Sequence, residues 1–103
     1  MTRQVLIRAR AEADLIDIAL YVAEHNHAAA ERFLTAAERA CAQLATFPHI
    51  GSPRTPIDPS FAGLRVWPIP GFESYSIYYI PRASHVDVLR VLHGARDSAR
   101  LFE

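Results

Sequence analysis

Val86-Asp87-Val88-Leu89-Arg90-Val91-Leu92-His93-Gly94-Ala95-Arg96-Asp97 is an apolar, strand-like run that ends abruptly in polar residues. Branched apolar residues alternate along it, Val86 and Val88 for one face and Leu89 and Val91 for the other, which predicts a strand covered on both sides. Arg90 interrupts that pattern. A guanidinium inside such a strand must reach solvent, a carboxylate or a ligand, because burying it unpaired is unfavourable. Gly94 then stops the pairing and lets the chain turn.

Working back from this run, Leu64 to Ile69 and Tyr75 to Ile80 also read as strands. With His85 to Leu92 they are joined by Pro70-Gly71 and Pro81-Arg82-Ala83-Ser84 turns, most simply as an antiparallel meander. Gly51, Pro53, Pro56 and Pro59 mark His49 to Ala62 as an irregular loop. Before the loop, from about His27 to Phe47, Ala29, Phe33, Ala36, Ala40, Leu44 and Phe47 recur at helical spacing, with Asn26 as cap and Pro48 as stop. An earlier helix from Ala11 to about Glu24 puts Ala11, Leu15, Ile18 and Val22 on one face and Asp14, Asp17, Tyr21 and Glu24 on the opposite stripe. It lacks a small polar cap residue, so its N-terminus relies on Glu12 and Asp14 near the positive end of the helix dipole. Ile16, Leu20 and Ala23 form a second apolar row, which suits a helix covered on two sides, one by the chain's own sheet and one by a partner. Val5-Leu6-Ile7 is a short first strand. The expected architecture is α+β: an N-terminal strand and a helical hairpin packed on a small antiparallel sheet, as one domain over residues 1–103.

Composition narrows the function. Eleven basic residues balance eleven acidic ones, and all the basic residues are arginine, with no lysine. A neutral total argues against strong direct nucleic-acid binding, which gains from counterion release. The single cysteine, Cys41, has no internal disulfide partner and reads as a small core residue in a reducing cytoplasm. The N-terminus lacks the apolar stretch of a signal peptide, and no run is long enough to span a membrane. His25 and His27 flank the turn between helices without a third ligand nearby, so neither a metal site nor a cofactor is expected. A phosphate loop, a Cys-x-x-Cys pair and a Gly-x-Ser-x-Gly elbow are all missing from the sequence.

Arg65, Arg90, His93 and Arg96 are the candidates for an anion-facing patch on one side of the sheet. Two readings of Arg90 stand side by side: a ligand-facing cation, or a partner for Asp14, Asp17 or Asp97. His93 reads more readily as a satisfied near-core residue. Trp67, Phe72, Tyr75, Tyr78 and Tyr79 make the sheet aromatic, for core packing more than for base stacking, and Tyr78 and Tyr79 must face opposite ways.

Five pieces of the chain together resemble the RelE/ParE family of bacterial toxins. They are Ala13-Asp14-Leu15 with Ile18 and Tyr21-Val22-Ala23; Asn26 with Ala29-Ala30-Glu31-Arg32-Phe33; Leu44-Ala45 with Phe47-Pro48 and Gly51; Gly63-Leu64-Arg65; and Gly71-Phe72 through Arg96-Asp97. The ParE branch fits best. The resemblance implies the toxin of a type II toxin-antitoxin module that poisons DNA gyrase and is neutralised by a ParD-like antitoxin in a hetero-oligomer. On the same grounds Ile16, Leu20 and Ala23 are candidates for the antitoxin contact. RelE-like relatives instead cut messenger RNA on the ribosome, and a nuclease here would have to use Arg65, Arg90 and His93. The basic pair such enzymes carry on the Gly63 to Trp67 segment is reduced to Arg65, and their next-strand arginine corresponds to Ser76. The resemblance therefore leans away from an enzyme.

Overall fold

The computed structural model describes residues 2–94 and residue 97. The elements run β1 (Gln4–Ile7), α1 (Ala9–Ala23), α2 (His27–Thr46), β2 (Ser52–Pro53), a 3-10 turn (Pro59–Phe61), β3 (Arg65–Ile69), β4 (Phe72–Pro81) and β5 (His85–His93). Asn26 caps α2 as its position implies, its Oδ1 accepting the Ala29 N–H at 3.1 Å. Arg8, at the start of α1, makes no side-chain cap, and Glu12 is the acidic residue of the first turn.

The expected α+β order holds, but the sheet is larger and mixed: five strands in the order β1-β5-β4-β3-β2. Strands β3, β4 and β5 form the antiparallel meander, whereas β1 runs parallel to β5, Gln4 opposite His85 and Ile7 opposite Val88. The helical hairpin leaves the sheet at β1, so the first strand can return beside the last in parallel register, as crossover connections allow. Strand β2 lies inside the segment read as irregular loop, where Ser52 and Pro53 pair with Val66 and Arg65.

A bulge divides β5. Tyr79 faces Val88 and Tyr78 faces Arg90, so Leu89 is one residue too many. Simple alternation predicts Val91 on the face of Leu89; the bulge instead puts Val91 with Val86 and Val88. These three pack with Ile77 and Tyr79 against Ala11, Phe33, Ala37, Ala40 and Leu44 of the helices. The opposite face holds a second cluster, Leu64, Val66, Tyr78, Ile80, Leu89 and Leu92, with Phe61 against it. Tyr78 and Tyr79 thus serve opposite faces, and Phe72 and Tyr75 meet Phe33 edge-on at 5.4 and 5.6 Å between ring centroids.

Candidate functional site

Strand β1 pairs with β5 only as far as Val88, so the next residues of β5 have an open edge facing α1. Asp14 of α1 fills that edge. Its carboxylate accepts Arg90 Nε at 2.8 Å, an Arg90 terminal nitrogen at 3.0 Å and the Val91 N–H at 3.0 Å. Arg10, one turn earlier, approaches the same carboxylate at 3.4 Å. Asp14 is therefore buried, whereas Asp17, Tyr21 and Glu24 of the same stripe are exposed. The physical reason is the Val91 N–H, a donor left over by the short β1 that needs an acceptor.

Beside this ion pair lies a cleft of about 480 Å³ between α1 and the end of β5. Arg10, Asp14, Asp17 and Tyr21 line it from the helix, Tyr75, Arg90 and His93 from the strands, together with Asp97. The His93 ring stands edge-on to Tyr75 at 5.5 Å, and its Nδ1 is buried without a hydrogen-bond partner. Arg90 and His93 thus line one cleft, and the unpartnered Nδ1 departs from the reading of His93 as a satisfied near-core residue.

Arg65 does not join them. Its guanidinium donates to the carbonyls of His49 at 3.1 Å and Gly51 at 2.7 Å, on the loop beyond β3, and it does not line the cleft. The expectation of a single patch containing Arg65 is corrected for a topological reason: β4 separates its strand from β5. Arg96 lies outside the described residues. On the outer side of α1, Ile16 and Leu20 are 58% and 63% exposed, while Ala23 is half-buried. Ile16 and Leu20 of the second apolar row are thus left uncovered by the chain itself.

Two polar arrangements were not read from the sequence. Asp87 of β5 is buried, and takes both forks of Arg8 at 3.0 Å and the Arg82 guanidinium at 3.1 Å. Burial alone would raise its carboxyl, but the hydrogen bonds and charges of Arg8 and Arg82 hold it below the ordinary carboxylate range. A carboxylate set in the middle of an apolar strand was the available signal, since such a group demands cationic partners. The second is the Tyr79 hydroxyl, which donates to the Pro48 carbonyl at 2.8 Å and accepts the Gly51 N–H at 2.9 Å. Nothing in residue spacing announces that contact.

Burial, aided by the neighbouring Glu38 charge, pushes the Cys41 thiol up to about 11, which makes it an inert thiol at neutral pH. Among the described residues no group of three or more His, Cys, Asp or Glu is placed to hold a metal ion. No helix among them is long and apolar enough to cross a membrane.

Comparison with known proteins agrees with this architecture. The family described as ParE toxin of type II toxin-antitoxin system, parDE, matches residues 5–98. Among solved structures, a chain of the chromosomal ParDE TA system from P. aeruginosa shares the fold at 19% identity and a TM-score of 0.56, over 89% of this chain and 96% of that one. No curated protein matches. The family match takes in the helical hairpin, the ion-paired end of β5 and the meander between them, and the chain belongs to the ParE toxin family of type II toxin-antitoxin systems.

Proposed function

We propose that this chain is a ParE-like toxin that poisons DNA gyrase and is held inactive by a ParD-like antitoxin. The observation that carries the reading is the internal engagement of the two arginines best placed for phosphate chemistry. Arg65 donates to two backbone carbonyls and Arg90 is bidentate on Asp14. A ribonuclease needs cations free to meet a phosphate as charge develops in the transition state; here one terminal nitrogen of Arg65 and two nitrogens of Arg90 are already engaged within the fold. A protein-directed inhibitor has no such requirement. The exposed Ile16 and Leu20 supply an apolar row for an antitoxin segment that folds on binding.

The test is direct. Purified chain added to gyrase should inhibit supercoiling and accumulate cleaved DNA, and should leave ribosome-bound messenger RNA intact. In cells lacking antitoxin, filamentation and DNA-damage signalling should precede any fall in translation. Rapid translational arrest, with cuts at fixed codon positions that vanish on mutating Arg65 or His93, would overturn the reading in favour of an arginine-dependent ribonuclease.

A further inference from the structure

Two aspartates flank β5, and each is shared by two arginines: Asp14 by Arg10 and Arg90 towards the end of the strand, Asp87 by Arg8 and Arg82 near its start. Their surroundings differ in charge. Asp17 and Asp97 line the cleft beside the first, so three acids there meet two arginines. At the second, Arg3 donates to the Arg82 carbonyl at 2.9 Å, so three guanidiniums gather round one carboxylate. Exposure differs too: the Arg90 side chain is 16% exposed, those of Arg8 and Arg82 are 51% and 39%.

Strand alternation builds this basic cluster. Val86 and Val88 turn towards the helices, so Asp87 between them faces the other side of the sheet, beside Ile80 of β4 and Leu6 of β1. Arg8 leaves the end of β1 and Arg82 sits in the β4–β5 turn, and both reach that face. Asp87 engages Nε and one terminal nitrogen of each guanidinium, which fixes both forks and leaves their second terminal nitrogens open. One guanidinium suffices to neutralise one carboxylate; the further two add self-repulsion unless another anion answers them. Glu12 does not, since it lies one turn into α1 on the helix side of the sheet and, among the described residues, pairs with none of the three.

We propose that Arg3, Arg8 and Arg82 form a phosphate contact through which the chain grips the backbone of the DNA that gyrase holds; the inference rests on the gyrase reading above. Phosphodiester oxygens accept from several guanidiniums at once and from different directions. A duplex carries a negative charge every 1.7 Å or so, roughly, and can meet each of three neighbouring cations in turn. The rim offers no acid to repel it: β1 reads Gln-Val-Leu-Ile, and its exposed Gln4 stands opposite His85. Three such contacts release few counterions, so the cluster makes no free-standing DNA binder of a chain with zero net charge. It adds to a complex whose main partner is a protein already seated on DNA.

Titrating the isotope-labelled full chain with a short DNA duplex tests the cluster by NMR. The Arg8 and Arg82 Nε–H signals should move saturably, and log K should fall against log salt with a slope of about −2 to −3, as three phosphate contacts imply. Gln4 is exposed and outside the Asp87 hydrogen bonds, so its variants leave the cluster intact. Gln4→Lys should tighten binding and steepen the slope by about one; Gln4→Glu and Arg3→Gln should weaken it. With gyrase and supercoiled DNA, Arg3→Gln/Gln4→Glu should need about tenfold more chain to accumulate cleaved DNA, the gap narrowing at high salt, while capture of DNA-free gyrase stays at the wild-type level. Unmoved arginine signals, or the same shifts at lower concentration of an oligoglutamate peptide, would overturn the proposal. Duplex binding beside unchanged gyrase trapping by the variant would remove gyrase-held DNA as the occupant. A wild-type chain that traps no cleaved DNA would instead refute the gyrase reading, whatever the duplex does.

Discussion

The Tyr79 hydroxyl and the Gly51 N–H are bonded at 2.9 Å, joining the middle of β4 to the loop that follows α2. Arg65 binds the Gly51 carbonyl from the next strand, so the glycine's peptide groups are held on both sides. A Cβ built at Gly51 would lie 2.7 Å from the Tyr79 hydroxyl and 2.9 Å from the Val66 carbonyl. Backbone cannot move aside as a side-chain tip can. Gly51→Ala should therefore destabilise the chain by about 2 kcal/mol or more in urea denaturation. Tyr79→Phe should cost about 1–3 kcal/mol, because it leaves the buried Gly51 N–H without a partner. It should not rescue Gly51→Ala, since the Val66 carbonyl remains; full rescue would show that the clash lies elsewhere.

Asp14 and Arg90 form the second tie. Asp14→Ala removes the acceptor for the Arg90 fork and for the Val91 N–H together, and should lower stability by about 3 kcal/mol. Arg90→Leu leaves the carboxylate with Val91 and Arg10, so about 2 kcal/mol is expected. Chemical denaturation at constant m-value reads both. Arg90→Leu with unchanged melting but lost toxicity would make Arg90 a recognition residue, and the bidentate pair incidental.

Asp87 gives the stability a pH signature. Its folded-state pKa lies below the ordinary value, held there against burial by Arg8 and Arg82. For a carboxylate with a depressed folded pKa, the stabilisation is complete above the unfolded pKa of about 3.9 and is lost as pH falls through the folded value. Asp87→Asn should accordingly be less stable than the parent at neutral pH, and the two curves should converge only as the pH falls through the depressed folded pKa of Asp87. Parallel curves throughout the acid range would remove Asp87 from the account.

Legibility in the sequence followed the range of the interaction. Asn26 and Pro48 bound α2 correctly because caps and breakers act within a turn, and the meander was legible from its Pro70-Gly71 and Pro81-Arg82-Ala83-Ser84 turns. The parallel placement of β1 depends on contacts across the whole chain, for which spacing has no code. The Leu89 bulge inverted the face of Val91, because alternation assumes an unbroken register. Asp14 was legible as one possible partner of Arg90, yet its burial follows from a spare backbone donor that only the length of β1 creates. Arg65 looked like a site residue because a strand arginine was read by charge alone; its actual partners are backbone carbonyls, invisible in side-chain patterns.

The uncovered row on α1 yields the sharpest functional expectation. Ile16 and Leu20 are 58% and 63% exposed, so replacing them with aspartate touches little inside the chain. Ile16→Asp/Leu20→Asp should melt within about 0.5 kcal/mol of the parent, as exposed substitutions generally do. In a complex, each side chain buried by a partner would contribute roughly 1.5–3 kcal/mol, so the double variant should lose at least about a hundredfold in antitoxin affinity. Cells expressing it together with antitoxin should stop growing as if the antitoxin were missing, while gyrase inhibition by the purified variant stays at the parental level. Retained neutralisation, measured by co-purification and by growth, would mean that the antitoxin docks away from this face. Lost gyrase inhibition at unchanged stability would place the target, not the antitoxin, on the row.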